Sequence, residues 1–216
     1  MKQNLKITVA SLMASVLVVG VGFYMVEPTI TGAQATDNVT VTQAVTSGIT
    51  ISDGADITMT ALSTSQNTAV GTSTWTVTTN NNAGYSLTVH ASTAPALARS
   101  GGGGNIVDYT PAVAETPETW SVSSAAEFGF SARGTNVNTT TYGTDSDCIA
   151  GADVPSTGLK WRDFDLTGSA DQIATVGAPT STSGAAPSLC VATEQAGTFA
   201  NSGTYTATIT GTATAL

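Results

Sequence analysis

The chain has 216 residues, of which 41% are apolar and only 10% charged; 15 acids against six lysines and arginines give a formal net charge of −9. That balance repels phosphate backbones and anionic headgroups, so nucleic-acid partners are not expected. The single histidine, His90, excludes a multi-histidine metal site within one subunit, and no G-x-S-x-G elbow accompanies it for a serine triad.

The first 35 residues read "MKQNLKITVASLMASVLVVGVGFYMVEPTITGAQA". Lys2 and Lys6 precede an uncharged apolar run from Ile7 to Val26, and Ala33-Gln34-Ala35 matches a small-residue cleavage site. Residues 1–35 are therefore expected to be a helical secretory signal peptide cut after Ala35. The run is about 20 residues, enough to span a bilayer, so an uncleaved membrane anchor is the alternative. Membrane contact is expected through this segment alone. Its removal takes out Lys2, Lys6 and Glu27, leaving a mature chain richer still in acid.

Residues 36–216 suffice for one domain with a core. Val39, Val41, Ile49, Ile51, Ile57 and Met59 lie in short alternating runs, which predicts two or three strands between Asn38 and Leu62. In "TSTWTVTTNNNAGYSLTVHAST" (72–93), Trp75 and Val77, then Tyr85, Leu87 and Val89, alternate with threonine, serine and His90. Period two puts one face in a core and one in water. Asn80 to Gly84 tolerate positive φ, so the stretch predicts a β-hairpin with His90 on its wet face.

Residues 92–119 are rich in Gly and Pro and read as a long surface excursion. Gly101 to Gly104 lack the Lys-Ser/Thr of a phosphate loop. Trp120 to Val122, Phe128 to Phe130, "LKWRDFDL" (159–166) and Ile173 to Val176 are further strand candidates. The chain closes on "GTYTATITGTATAL", a regular alternating strand. No helical stripe follows the N-terminal segment. The expected fold is all-β, an antiparallel β-sandwich of immunoglobulin-like or jelly-roll-like type.

Cys148 and Cys190 are the only cysteines, and in an exported chain an even pair predicts one disulfide. Asp145, Asp147 and Asp153 crowd in "TDSDCIAGAD" as candidate Ca²⁺ ligands, although the EF-hand spacing is missing. Otherwise they form a solvated acidic loop, and no cofactor is expected. Trp161, between Lys160 and Arg162, reads either as core or as an aromatic platform for a sugar. Glu115, Glu118, Glu127 and Glu194 are too scattered to mark a hydrolase, whose best carboxylates would be Glu127 and Asp163. Asn38-Val39-Thr40 and Asn138-Thr139-Thr140 match the N-glycosylation acceptor.

"TVTTNNNAGYSLTV" (76–89), with the closing "GTYTATITGTATAL", resembles the WxL surface domains of Gram-positive bacteria. Gly84-Tyr85-Ser86-Leu87 stands at the first Gly-Trp-x-Leu, with tyrosine for tryptophan. Thr210-Gly211-Thr212-Ala213 lies near the second motif without its signature residues. The resemblance implies a secreted β-sandwich held noncovalently on peptidoglycan. From the residues themselves, the expectation is a noncatalytic, exported structural or adhesive protein of the cell surface. It would form a layer or filament by strand addition, with copies of itself or other surface proteins as partners. A carbohydrate- or cell-wall-binding module using Trp161 is the alternative.

Overall fold

The computed structural model describes residues 37–52 and 54–216, so the segment expected to be a signal peptide or anchor lies outside the described residues. The chain divides into two units, Met1–Ala44 and Val45–Leu216. Within the first, residues 37–44 are exposed and carry no strand.

In chain order the second unit contains β1 (Ile49–Ile51), β2 (Thr68–Thr74), β3 (Val77–Thr79), β4 (Tyr85–Ala91), β5 (Ala98–Arg99), β6 (Val107–Asp108) and β7 (Ala126–Gly134). A one-turn helix α1 (Thr139–Tyr142) follows, then β8 (Ile149–Gly151), β9 (Val154–Pro155), β10 (Asp171–Val176), β11 (Pro187–Gln195), β12 (Tyr205–Thr206) and β13 (Ile209–Ala215). Asn138 caps α1, its side chain accepting from the backbone N–H groups of Thr140 and Thr141.

Two sheets carry the sandwich. One has the order β10-β4-β13 and the other β2-β11-β7-β6. Pairing is antiparallel except where β6 runs parallel to β7. Strand β4 shows the reason for the fold most plainly. Tyr85, Leu87, Val89 and Ala91 are buried, and the intervening Ser86, Thr88 and His90 are half-buried. That face meets Phe130, Ala132, Leu189 and Val191 of the opposite sheet. Burying each large side chain contributes about 1.5–3 kcal/mol. Phe130 stacks on Phe164 at 4.3 Å between ring centres.

The turn at Asn80–Gly84 is present, but its flanking strands do not pair as a hairpin. β3 pairs with β1, while β4 pairs with β10 and β13. Gly84 is required there: φ is +79°, and a Cβ would lie 1.8 Å from the Val176 carbonyl oxygen. The side-chain alternation was legible locally; the pairing partners are distant in the chain, β1 upstream of β3 and β10 and β13 far downstream of β4.

The four-stranded sheet is buried on both faces. On β11, Leu189 and Val191 enter the inter-sheet core, while Cys190 and Ala192 enter a second cluster with Val70, Tyr109, Leu159 and Trp161. Loops carrying Tyr109, Trp120 and Cys148 cover that outer face. Cys148 and Cys190 stand at disulfide distance, Cα–Cα 5.5 Å, tying one loop to the sheet. Residues 92–119 are thus less free than expected: Ala96, Leu97, Ile106 and Tyr109 are buried. Trp120–Val122 forms no strand, and 159–166 makes isolated bridges only.

The largest departure lies between Asn38 and Leu62. Among the expected strands there, only Ile49–Ile51 pairs. Residues 54–62 form no strand, and Ile57, Met59 and Leu62 are half-buried against the core. Among the described residues they make no backbone-to-backbone hydrogen bond.

Candidate functional site

The three-stranded sheet has one strand fewer than the sheet it covers, and its two edge strands are β10 and β13. Along β13 the inward residues Ile209, Gly211 and Ala213 are only half-buried. Beside them opens a groove of about 1170 Å³. Ile209 and Gly211 form one side and residues 54–62 another, over a floor that includes Trp75, Leu189 and Val191. Gly211 is needed at this edge, since a Cβ would meet the Trp75 ring at 3.0 Å. The groove is larger than the roughly 300–1,000 Å³ of ordinary small-ligand pockets.

Both flanks offer backbone. β13 pairs with β4 on one side; β1 lies close to it without pairing, and no second partner strand is present among the described residues. Residues 54–62 leave their amides and carbonyls unpaired by other backbone, apart from Ala55, whose carbonyl accepts from the Ser73 hydroxyl at 2.8 Å. An open edge next to an apolar trough is a receptor for an extended peptide: main chain supplies hydrogen bonds, and alternate side chains fill the trough.

The titratable residues converge elsewhere, around Arg162. This guanidinium is buried, at 7% exposure. Its Nη1 pairs with Asp171 at 2.5 Å and its Nη2 with Asp165 at 3.2 Å and with Glu115. Asp163 Oδ1 faces Nε at 3.9 Å, beyond hydrogen-bonding distance. Burial pushes the Asp171 carboxyl up to about 7; Arg162 opposes this, and Asp165 and Glu115 reinforce it. Glu115, Asp165 and Asp171 approach closely enough to suggest a cation site. Arg162 already occupies their point of convergence, however, and supplies the compensating charge. The cluster clamps the loop at Glu115 and strand β10 onto one buried cation.

The aspartates proposed for calcium do not converge. Asp145 accepts from the Ser156 hydroxyl, which with backbone donors holds its carboxyl below the usual range. Asp147 accepts from the Ile149 amide at 3.4 Å, and Asp153 belongs to no three-residue ligand group. The Asp145 and Asp147 carboxylates are engaged in local turns.

Of the two readings of Trp161, the structure shows the core one. It is fully buried, its indole N–H donates to the Ser156 carbonyl at 3.1 Å, and it meets Trp120 edge-on. No face is left for a sugar. Glu127 and Glu194 are cross-strand neighbours, but each is engaged, by the Thr110 amide at 3.1 Å and the Trp120 indole at 2.6 Å. Burial raises the Glu127 carboxyl most, and Glu194 adds to it. His90 lies half-buried opposite Thr210.

Sequence reasoning missed both the groove and the arginine clamp. Arg162 stood out only as one of four cations after residue 35. The groove had a fainter signal, the alternation at Ile57 and Met59 that finds no partner strand. No known protein family, curated protein or solved structure matches this chain.

Proposed function

We propose that this chain is a noncatalytic structural subunit, exported to the cell surface, that assembles with copies of itself by strand addition. The observation that carries the reading is the groove beside β13, flanked by unpaired backbone and floored by core side chains. A sheet edge of this kind is a liability in a protein meant to stay alone, and proteins usually blunt it with charge, proline or a bulge. Here the outward residues of β13 are Thr210, Thr212 and Thr214. The apolar N-terminal run and the cysteine pair at disulfide distance support export. The engagement of the clustered carboxylates with Arg162 and of Glu127 and Glu194 with local donors supports a role without chemistry.

Sedimentation and negative-stain electron microscopy of the purified chain test the reading. Growth from monomer into linear polymers as concentration rises is the expected result. A single monomeric species throughout the micromolar to millimolar range would refute it. The carbohydrate-binding alternative has lost Trp161, the residue that motivated it, to the core.

A further inference from the structure

The strand proposed above needs a donor, and the chain contains one. In "DNVTVTQAVT" (37–46), Val39, Val41, Gln43 and Val45 alternate with Asn38, Thr40, Thr42 and Ala44, so one polar side chain interrupts an otherwise apolar edge. The valines are 83%, 87% and 78% exposed, and the segment has no strand partner among the described residues. An extended stretch with one apolar edge cannot bury that edge alone. It has the composition of a strand and lacks only a sheet.

We infer that residues 37–45 of one copy insert as an added strand into the groove of a second copy, between β13 and residues 54–62. The inference rests on the self-assembly reading and specifies its joint. Valines 39, 41 and 45 would point down toward Trp75, Leu189 and Val191, while backbone groups pair with the free edge of β13. Nine residues at about 3.3 Å each extend about 30 Å, more than enough to run past the part of β13 that borders the groove, Ile209 to Gly211.

The anchoring of the segment favours a second copy over its own subunit. Asn80 accepts from the Gly48 amide at 2.7 Å and donates to the Thr46 carbonyl at 2.7 Å. Asn80 lies at the end of the sandwich where β13 finishes, since the Leu216 amide donates to the Gly84 carbonyl and Asn81 donates to the Leu216 carbonyl. The groove lies beside Ile209 and Gly211, where β13 begins. The donor root and the acceptor therefore sit at opposite ends of one strand. Doubling back along its own subunit would use about five residues, or 17 Å, before the groove is reached. A joint between unlike ends is heterologous, and repeated without closure it generates a filament rather than a dimer.

Two variants of the full chain separate the parts. V39D/V41D places charge on the donor and leaves the groove intact. Met59→Asp places charge in the groove and leaves the donor intact. Both are expected to be folded monomers, checked by their melting transitions and intact cysteine pairing. Mixed, they are expected to give a one-to-one heterodimer that grows no further, because one free groove and one free donor remain for a single joint. A labelled peptide of residues 37–46 is expected to bind V39D/V41D, with affinity falling at least about tenfold for each peptide valine changed to aspartate. The peptide arm stands even if Met59→Asp fails to fold. Polymers that persist in V39D/V41D would overturn the donor assignment while leaving self-assembly in place. A wild-type chain that never assembles would remove the underlying reading as well. A peptide that fails to bind, or a small apolar molecule that copurifies in the groove of intact polymers, would also overturn the joint.

Discussion

Replacing Arg162 with methionine keeps most of the side-chain volume and removes the one cation among four acids. Glu115 is 64% exposed at its side chain, so its pairing contributes no more than about 1 kcal/mol. Asp171 is only 4% exposed and, without the cation that holds it down, would take up a proton near neutral pH rather than stay charged, so its share of the loss grows by about 1.4 kcal/mol per pH unit above about 7. Against a total stability of about 5–15 kcal/mol for a domain, that is measurable. Its pH dependence is the sharper test. A carboxyl whose folded pKa is raised holds its proton more tightly folded than unfolded. Ionising Asp171 therefore reduces stability as pH climbs from about 4 through about 7, and below that window the carboxyl is neutral in both states. The R162M penalty should be about 1–2 kcal/mol at pH 5, where a protonated Asp171 needs no counter-charge, and larger by about 1.4 kcal/mol at pH 8, where Asp171 is ionised in the wild type and protonated in the variant. Adding D171N should recover that increment at pH 8 and little at pH 5. Urea unfolding followed by tryptophan fluorescence, with the cysteine pair kept oxidised, measures all of this. A penalty under about 1 kcal/mol at pH 8, or one equal at both pH values, would refute the clamp.

Gly84→Ala should destabilise by about 1–3 kcal/mol, because it combines positive φ with a Cβ driven into the Val176 carbonyl; an unchanged urea midpoint would mean the turn relaxes. Trp161→Ala should cost about 3–5 kcal/mol through the cavity it leaves beside Trp120 and the cysteine pair, with no glycan binding lost on an array, since the wild type presents no indole face. Cys148→Ser with Cys190→Ser should lower stability by about 4 kcal/mol on the loop-closure estimate for a separation of 42 residues; denaturation with and without reductant reads it directly.

The sequence by itself determined the class of fold and the direction most strand side chains face. Period two at Tyr85, Leu87 and Val89 is a local property of an extended chain, and those residues are buried. The cysteine pairing was equally legible, because two cysteines allow one intramolecular pair. The partner of each strand was decided only by the tertiary structure. Hydrogen bonding between strands depends on long-range register, and identical alternation at Val39, Ile49 and Ile57 ended in an exposed segment, a paired strand and an unpaired flank. The double burial of β11 was hidden for the same reason: "PSLCVATEQ" has polar residues on both faces, and only the covering loops make both faces interior. Trp161 and Arg162 show the limit most plainly. Neighbouring side chains on one extended run, they entered different interiors, one apolar and one ionic. What surrounds a side chain is set by the elements that close over it, and those come from distant parts of the chain.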